Sequence, residues 1–347
     1  MAVSKNPDSR LWSVKKHFYL RKHCKFPMKK NGFFFTTIAI AFSIVLLISY
    51  NVYAGYRLND KMQSVETRIG TMNGFIKDLE NDAENAIFIA GFRSLLSIED
   101  YMMKYDDFIS NLGTNLNSAF DESFIYGAIN SEKMSLMQNN TFLNWTNKME
   151  EQAAKIDISL ELTVNSVEIM QSSPWTVDVS VNLKIDATDK KNTASWVRNR
   201  VFTKTINITG FVDPLYLVNN DGKVNNTIRK TTVNPSSSTA NLQTHMANSY
   251  YIGHTDAPSY LMRFENNLNP SAYGIESLVN TEELKDAGFN PNTRSAVDYI
   301  YYGTAVTSDC RVEGFQPYPF FRLDYLPEPP NHLEAYGAEC LGHGDDD

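Results

Sequence analysis

Apolar residues first run without a break and then settle into a stripe. No residue from Asn31 to Tyr56 carries a charge, and Phe33 to Tyr53 reads FFFTTIAIAFSIVLLISYNVY. At ~1.5 Å per residue, this core spans the ~30 Å hydrocarbon layer of a bilayer as one helix. Beyond Arg57, apolar or small residues recur at Leu58, Met62, Val65, Ile69, Met72, Ile76, Leu79, Ala83, Ala86 and Ala90. Alternating steps of four and three keep one helix face apolar, with Asp78, Glu80, Asp82 and Glu84 on the polar side. Such a stripe can be the seam of an oligomeric stalk, or it can lie on the chain's own β-sheet. Ala83, Ala86, Ala90 and Gly91 permit close backbone approach but make a weak coiled-coil seam, so packing within the chain is expected.

Helical periodicity continues over Ser94–Lys104, Asp106–Asn117, Asp121–Ile129 and Phe142–Lys155, the last with Thr141 as N-cap. The period then changes to two. Ile156, Ile158, Leu160, Leu162 and Val164 alternate with polar residues, as do Trp175, Val177, Val179, Val181, Leu183 and Ile185, and Val197–Phe211 is a third run. These predict an antiparallel meander buried on one face. The small-polar stretch Thr231–Ala240 reads as a boundary. In the Tyr- and Pro-rich remainder, short helices are expected at Pro258–Leu268 and Ile275–Ala287, and a strand at Ala296–Tyr302. The fold class is therefore α+β. It comprises a leader (1–32), a transmembrane helix (33–56), a helical stalk and helices (57–155), a β-meander (156–230) and a small mixed C-terminal region (241–347).

Charge orients this arrangement. Residues 1–32 hold nine Lys/Arg against Asp8 alone, leaving 23 basic and 39 acidic residues of the chain's 32 and 40 for the rest. The positive-inside bias places the N-terminus in the cytoplasm and residues 57–347 outside the plasma membrane, with the lipid bilayer as first partner. Phe33–Phe35 sit at one boundary, and Tyr50, Tyr53 and Tyr56 share a face at the other. The stretch Ser9–His23 suits either a basic helix on the anionic inner leaflet or a solvated tail. An acidic exterior excludes a nucleic-acid surface, which needs clustered Lys/Arg. Cys24 falls on the reducing side, whereas Cys310 and Cys340 predict a disulfide closing a Pro- and aromatic-rich loop. Asn139, Asn144, Asn207 and Asn225 head the exterior Asn-x-Ser/Thr sequons and are candidate glycosylation sites.

Lys29-Lys30-Asn31-Gly32 followed by Phe33-Phe34-Phe35-Thr36 resembles the leader junction of type IV pilin-like proteins, particularly the archaeal class. The resemblance implies cleavage between Gly32 and Phe33 by a prepilin-type peptidase, retention of the apolar helix and association with other pilin-like subunits. Asn31 replaces the basic residue common before the glycine. Thr37 stands where bacterial pilins usually carry Glu, so polymerisation as a bacterial-type major subunit is not implied. A secretory signal would be cut after the apolar segment, where no small-x-small site occurs. An uncleaved signal anchor is the competing reading. The order of long helix, helices and meander extends the resemblance loosely to about residue 215.

Chemistry is sparse. No G-x-S-x-G, H-E-x-x-H, P-loop or dinucleotide motif is present. His245, His254 and Asp256 form an exterior group whose spacings of nine and two match no common zinc signature. His332 and His343 read as loop and tail residues. Asp345–Asp347 read as a solvated end, and neither metal nor cofactor is expected. Tyr250, Tyr251, Tyr260, Tyr299, Tyr301, Tyr302, Tyr318 and Tyr325 suggest a surface recognising protein or carbohydrate. The sequence is read as a non-enzymatic, pilin-like surface protein. The alternatives are an uncleaved adhesin with an oligomeric coiled-coil stalk, and a membrane-tethered hydrolase using residues around His245–Asp256.

Overall fold

No proline occurs between Pro27 and Pro174, and the first helix runs on much further than its separate periodic segments suggest. The computed structural model describes residues 30–303, 309–315, 318–325 and 331–341. The leader before Lys30, Cys24, His343 and Asp345–Asp347 lie outside the described residues. Helix α1 covers Lys30–Tyr105, so Ser94–Lys104 is its final portion. It stops where Asp106 takes a left-handed backbone conformation, φ 53°. The architecture is α+β, a long N-terminal apolar helix followed by antiparallel sheets.

The chain divides into two compact units, 1–66 and 67–347. In the first, α1 exposes Phe34, Ile38, Leu46 and Ile48. Among the described residues, α1 supplies one stretch long and apolar enough to cross a membrane. Leu58 and Met62 of the stripe are exposed as well.

The second unit buries the stripe only from Met72 onward: Ile69 is still exposed, and Ala86 is half-buried while its neighbour Ile87 turns inward. Met72, Ile76, Leu79, Ala83, Ile87 and Ala90 are 2% exposed or less. After α1 come α2 (Leu116–Tyr126), the hairpin β1 (Ala128–Ile129) and β2 (Glu132–Lys133), and α3 (Phe142–Lys155). The Thr141 side chain caps α3 by accepting from Asn144 N at 3.0 Å. Asp106–Asn117, expected as one helix, holds a 3₁₀ turn at Ile109–Leu112, closed by Gly113 at φ 81°, and only its last two residues belong to α2.

The meander follows as β3 (Ile158–Ser173), β4 (Thr176–Asp189) and β5 (Ser195–Asn207), antiparallel and in that order. β4 is central, and Val177, Val179, Val181, Leu183, Ile185 and Ala187 all point inward. In β3 the inward set is Ile158, Leu160 and Leu162. An irregularity between Val164 and Ser166 then shifts the register, so Ile169 is buried instead. A one-residue slip exchanges the faces, and a bulge is how a long strand absorbs one. β5 buries only Phe202 and Ile206 and leaves Val197 and Val201 exposed.

Gly91 sets the distance between α1 and this sheet. A Cβ there would stand 3.1 Å from both Ile206 Cδ1 and Val179 Cγ2. Acidic residues flanking the stripe grip the neighbouring elements. Glu80 pairs with Arg198 and Arg200, Glu84 with Lys204 at 2.9 Å, and Asp82 accepts from Trp145 Nε1 at 2.8 Å.

The remainder is made of short pieces. They are α4 (Pro214–Asn219), α5 (Thr239–Ala247), β6 (Tyr251–Gly253), α6 (Tyr260–Arg263), β7 (Ile275–Ser277), α7 (Thr281–Asp286), α8 (Asp298–Tyr301), β8 (Asp309–Arg311), β9 (Arg322–Asp324) and α9 (His332–Ala335). Three expectations are corrected. Pro258–Leu268 shrinks to α6, and Ile275–Ala287 splits into β7 and α7. Ala296–Tyr302 forms helix α8 rather than a strand. Ala296, Val297, Tyr299, Ile300 and Tyr301 are all buried, and a run enclosed on every side carries no period to separate strand from helix. Thr231–Ala240, read as a boundary, runs into α5, and residues on both sides of it enter one continuous core.

Glu99, near the end of α1, is buried and accepts from Tyr260 Oη at 2.8 Å. Burial pushes its carboxyl from the usual 4.5 to about 8, against the opposing pull of the Tyr260 and Val212 hydrogen bonds. With the folded-state value above the unfolded one, its stabilising share is complete below about pH 4.5 and lost as pH rises through 8.

Two outcomes follow from this packing. Gly91→Leu should destabilise the fold by about 1–3 kcal/mol through overpacking, read as a lowered urea midpoint. Glu99→Gln should gain stability relative to the parent as pH rises from 5 to 8, by up to a few kcal/mol. Melting curves at both pH values check it, and a pH-independent gap would contradict it.

Candidate functional site

Alternation along one short strand separates two buried charge clusters. Successive residues of a strand point to opposite sides, so Ser277 and Glu276 of β7 enter different clusters, one on either side of the ribbon formed with β6.

On the Ser277 side lies Arg263, at the end of α6 and wholly buried. Its Nη1 donates to Asp213 Oδ2 at 2.6 Å and to Asp298 Oδ2 at 2.8 Å, and its Nη2 to the Ile275 carbonyl. Asp213 also N-caps α4 by accepting from Leu215 N at 2.9 Å, and it takes the Tyr251 hydroxyl at 2.8 Å. Asp298 accepts from the Ser277 hydroxyl at 2.9 Å and from Ser277 N at 3.1 Å. Burial drives Asp298 up to about 6, with Arg263 pulling down and Asp213 pushing up. Arg263 itself is raised, since the two carboxylates outweigh its desolvation.

On the Glu276 side two histidines converge. Glu276 Oε2 lies 3.3 Å from His332 Nε2 and 3.4 Å from His254 Nδ1, and the three atoms are within 4.8 Å of one another. Its other oxygen, Oε1, accepts from Tyr336 Oη. His332 Nδ1 donates to Asp324 at 2.8 Å, and Asp324 also accepts from the Ser295 hydroxyl at 2.7 Å and from His332 N at 3.1 Å. Tyr299 Oη is 3.3 Å from His332 Nε2. Glu276, His332 and Asp324 are 1% exposed or less, whereas the His254 side chain is 27% exposed and opens the cluster to solvent. Burial opposes charge on His332, but Asp324 and Glu276 outweigh it and raise it to about 10. Glu276 and Asp324 are held below the usual carboxylate range, because contact with His332 offsets their desolvation.

The grouping His245–His254–Asp256 is only partly retained. His254 belongs to the cluster. Asp256 offers its backbone N–H to His254 Nδ1 at 3.4 Å, and His245 is elsewhere, buried beside Thr231 and Tyr250. Burial lowers His245 to about 4. His332, read as a loop residue, opens α9 and carries the centre of the cluster. Neither its role nor that of Glu276 has a local signal, since their partners lie far off in sequence.

Cys310 and Cys340 form no disulfide. Val312 pairs antiparallel with Cys340, which sets Cys310 and Cys340 diagonally on one face. Diagonal neighbours on such a ladder stand ~7–8 Å apart, beyond the ~4.4–6.8 Å Cα reach of a disulfide. The tyrosines are largely internal: Tyr251, Tyr260, Tyr299 and Tyr301 are buried, and Tyr325 is exposed. Asn139, Asn144, Asn207 and Asn225 are all exposed and lie apart from these clusters. The Gly32–Phe33 bond falls near the start of α1.

Comparison with protein-family models, curated proteins and solved structures finds no match to this chain.

Arg263→Met should cost about 3–5 kcal/mol, because it strands the carboxylates of Asp213 and Asp298 in a dry interior. Adding Asp298→Asn should recover part of that loss. Chemical denaturation of the single and double variants tests the pair, and equal loss in both would show that Asp298 is not the stranded charge.

Proposed function

We propose that this chain is a pilin-like or minor-pilin-like surface protein. In this reading it is anchored by residues 33–56, with its N-terminus cytoplasmic and its exterior head making contacts rather than catalysing. The observation that carries the reading is the exposure profile of α1. Its first part is apolar and bare, from Phe34 to Tyr56, and its second part is sunk into a three-stranded meander from Met72 onward. A helix used in that way divides its surface between lipid and its own sheet, as the resemblance at Lys29–Thr36 implies.

Leu58 and Met62 leave apolar surface beyond the anchor, available to neighbouring pilin-like subunits. Their exposure equally suits the uncleaved adhesin, whose stalk would use the same side chains between copies. The exposed sequons Asn139, Asn144, Asn207 and Asn225 suit a glycosylated head facing outward.

The mature N-terminus distinguishes the two. Intact mass of protein extracted from its native membrane should correspond to residues 33–347, and Gly32→Leu should leave the leader attached. Peptides containing Met1 at full stoichiometry would sink the pilin-like reading in favour of the signal anchor.

A further inference from the structure

We propose that His254 Nδ1, Glu276 Oε2 and His332 Nε2 are the protein ligands of a divalent transition-metal site, fitted to zinc.

The spacing matches a coordination shell that lacks its centre. Zinc bonds to imidazole nitrogen and carboxylate oxygen run ~2.0–2.2 Å, so two ligands of a tetrahedral site stand about 3.3–3.5 Å apart. The edges from Glu276 Oε2 measure 3.3 Å to His332 and 3.4 Å to His254. The third edge, between the two imidazoles, lies within 4.8 Å. It closes by at most about 1.5 Å on rotation of the half-exposed His254 ring, an ordinary rotameric adjustment.

The surroundings are those of a supported ligand set. Ligating histidines are commonly fixed by a carboxylate on the other ring nitrogen, which sets the tautomer and raises the basicity of the coordinating one. Asp324 does this to His332, accepting from Nδ1 at 2.8 Å and leaving Nε2 aimed at Glu276. Tyr336 occupies Glu276 Oε1, so Oε2 alone faces the two histidines and the carboxylate is set for one bond. Tyr299 Oη, 3.3 Å from His332 Nε2, is the nearest further oxygen. His254 Nδ1 has only long contacts, 3.4 Å from Asp256 N and 3.4 Å from Glu276 Oε2, which a cation can replace.

Charge points the same way. Two buried carboxylates, Glu276 and Asp324, flank His332 here, and a dication that displaces the proton His332 Nε2 shares with Glu276 would balance both of them. Two imidazoles and one carboxylate favour zinc or a neighbouring transition ion over the oxygen-seeking calcium or magnesium.

The ion would tie together the turn after β6, strand β7 and the start of α9. It is therefore a structural clasp for the C-terminal segment that Cys310 and Cys340 do not close. This departs from the expectation of no metal drawn from local spacing, and it does not depend on the pilin-like reading.

The full-length chain in detergent, stripped with chelator and titrated with zinc sulfate, tests the site. Elemental analysis after desalting should find one zinc per chain, and zinc should raise the melting temperature of the stripped protein. His254→Ala, at a half-exposed position, and the near-isosteric Glu276→Gln should each lose that equivalent, while circular dichroism shows the fold retained. Asp324→Asn, a positioning change, should weaken affinity about 10–100-fold without abolishing binding. Cobalt in place of zinc should give the intense visible bands of a tetrahedral centre in the parent and not in His254→Ala. No zinc uptake by the parent overturns the proposal. So does uptake of unchanged affinity in both His254→Ala and Glu276→Gln, which would place the metal elsewhere.

Discussion

The seam between the second part of α1 and strand β4 is the contact on which the rest of the 67–347 unit is built. Met72, Ile76, Leu79, Ala83, Ile87 and Ala90 on the helix meet an inward row from Val177 to Ala187 that has no polar interruption. Neither surface could stay in water. A stripe of that kind is only marginally stable as an isolated helix, and a three-stranded sheet needs one face covered. Small residues toward the C-terminal end of the stripe let the two approach, and Gly91 marks the closest point, where even a methyl group meets Val179 and Ile206. The ion pairs at Glu80 and Glu84 flank this seam. They are exposed enough to contribute little energy, and they suit the helix to one lateral position over β5.

A second principle governs the part beyond the meander, where elements are too short to build a core from aliphatic stripes. Buried carboxylates hold it together, and each is given hydroxyl or cationic donors. Tyr251 serves Asp213, Tyr260 serves Glu99 and Tyr336 serves Glu276. This accounts for the buried tyrosines of the region. Tyrosine brings a large apolar ring into the interior and one donor to a group that would otherwise be costly to bury. Removing one member of such a network strands the charges it served, which is why loss of Arg263 alone is expected to cost more than loss of a charge pair together.

What could be read from the sequence was whatever has a short period. Thr141 and α3, the alternation of β4, the order of the meander and the stripe of α1 are local patterns, and the structure follows them. Asp106–Asn117 failed because spaced apolar residues fit a helix template, whereas the backbone closes after one 3₁₀ turn at Gly113. Ala296–Tyr302 failed because total burial removes the period. The cluster at Glu276 was illegible for another reason. His254, Glu276 and His332 come from three elements with long intervening chain, and only the pairing of β6 with β7 and the docking of α9 bring them together. His245 and Asp256 drew notice through nearness in sequence, which says little about nearness in a region built from such short pieces.

The two principles also decide which surfaces remain for function. From Met72 onward the stripe of α1 is spent on the sheet, so an assembly contact made through the stripe must use residues before it, while Phe88 and Ile89 stay exposed on another face of the helix. Leu58 and Met62 are bare before Met72, and exposed apolar side chains that continue a long apolar stretch cost solubility unless lipid or another protein covers them. The Glu276 cluster is occupied differently. Three of its four titratable members are sealed, and only His254 meets solvent. A catalytic site needs room for a substrate beside its reactive groups. This cluster opens to solvent at His254 and is packed by Tyr299 and Tyr336 at His332 and Glu276, so whatever reaches it enters past His254.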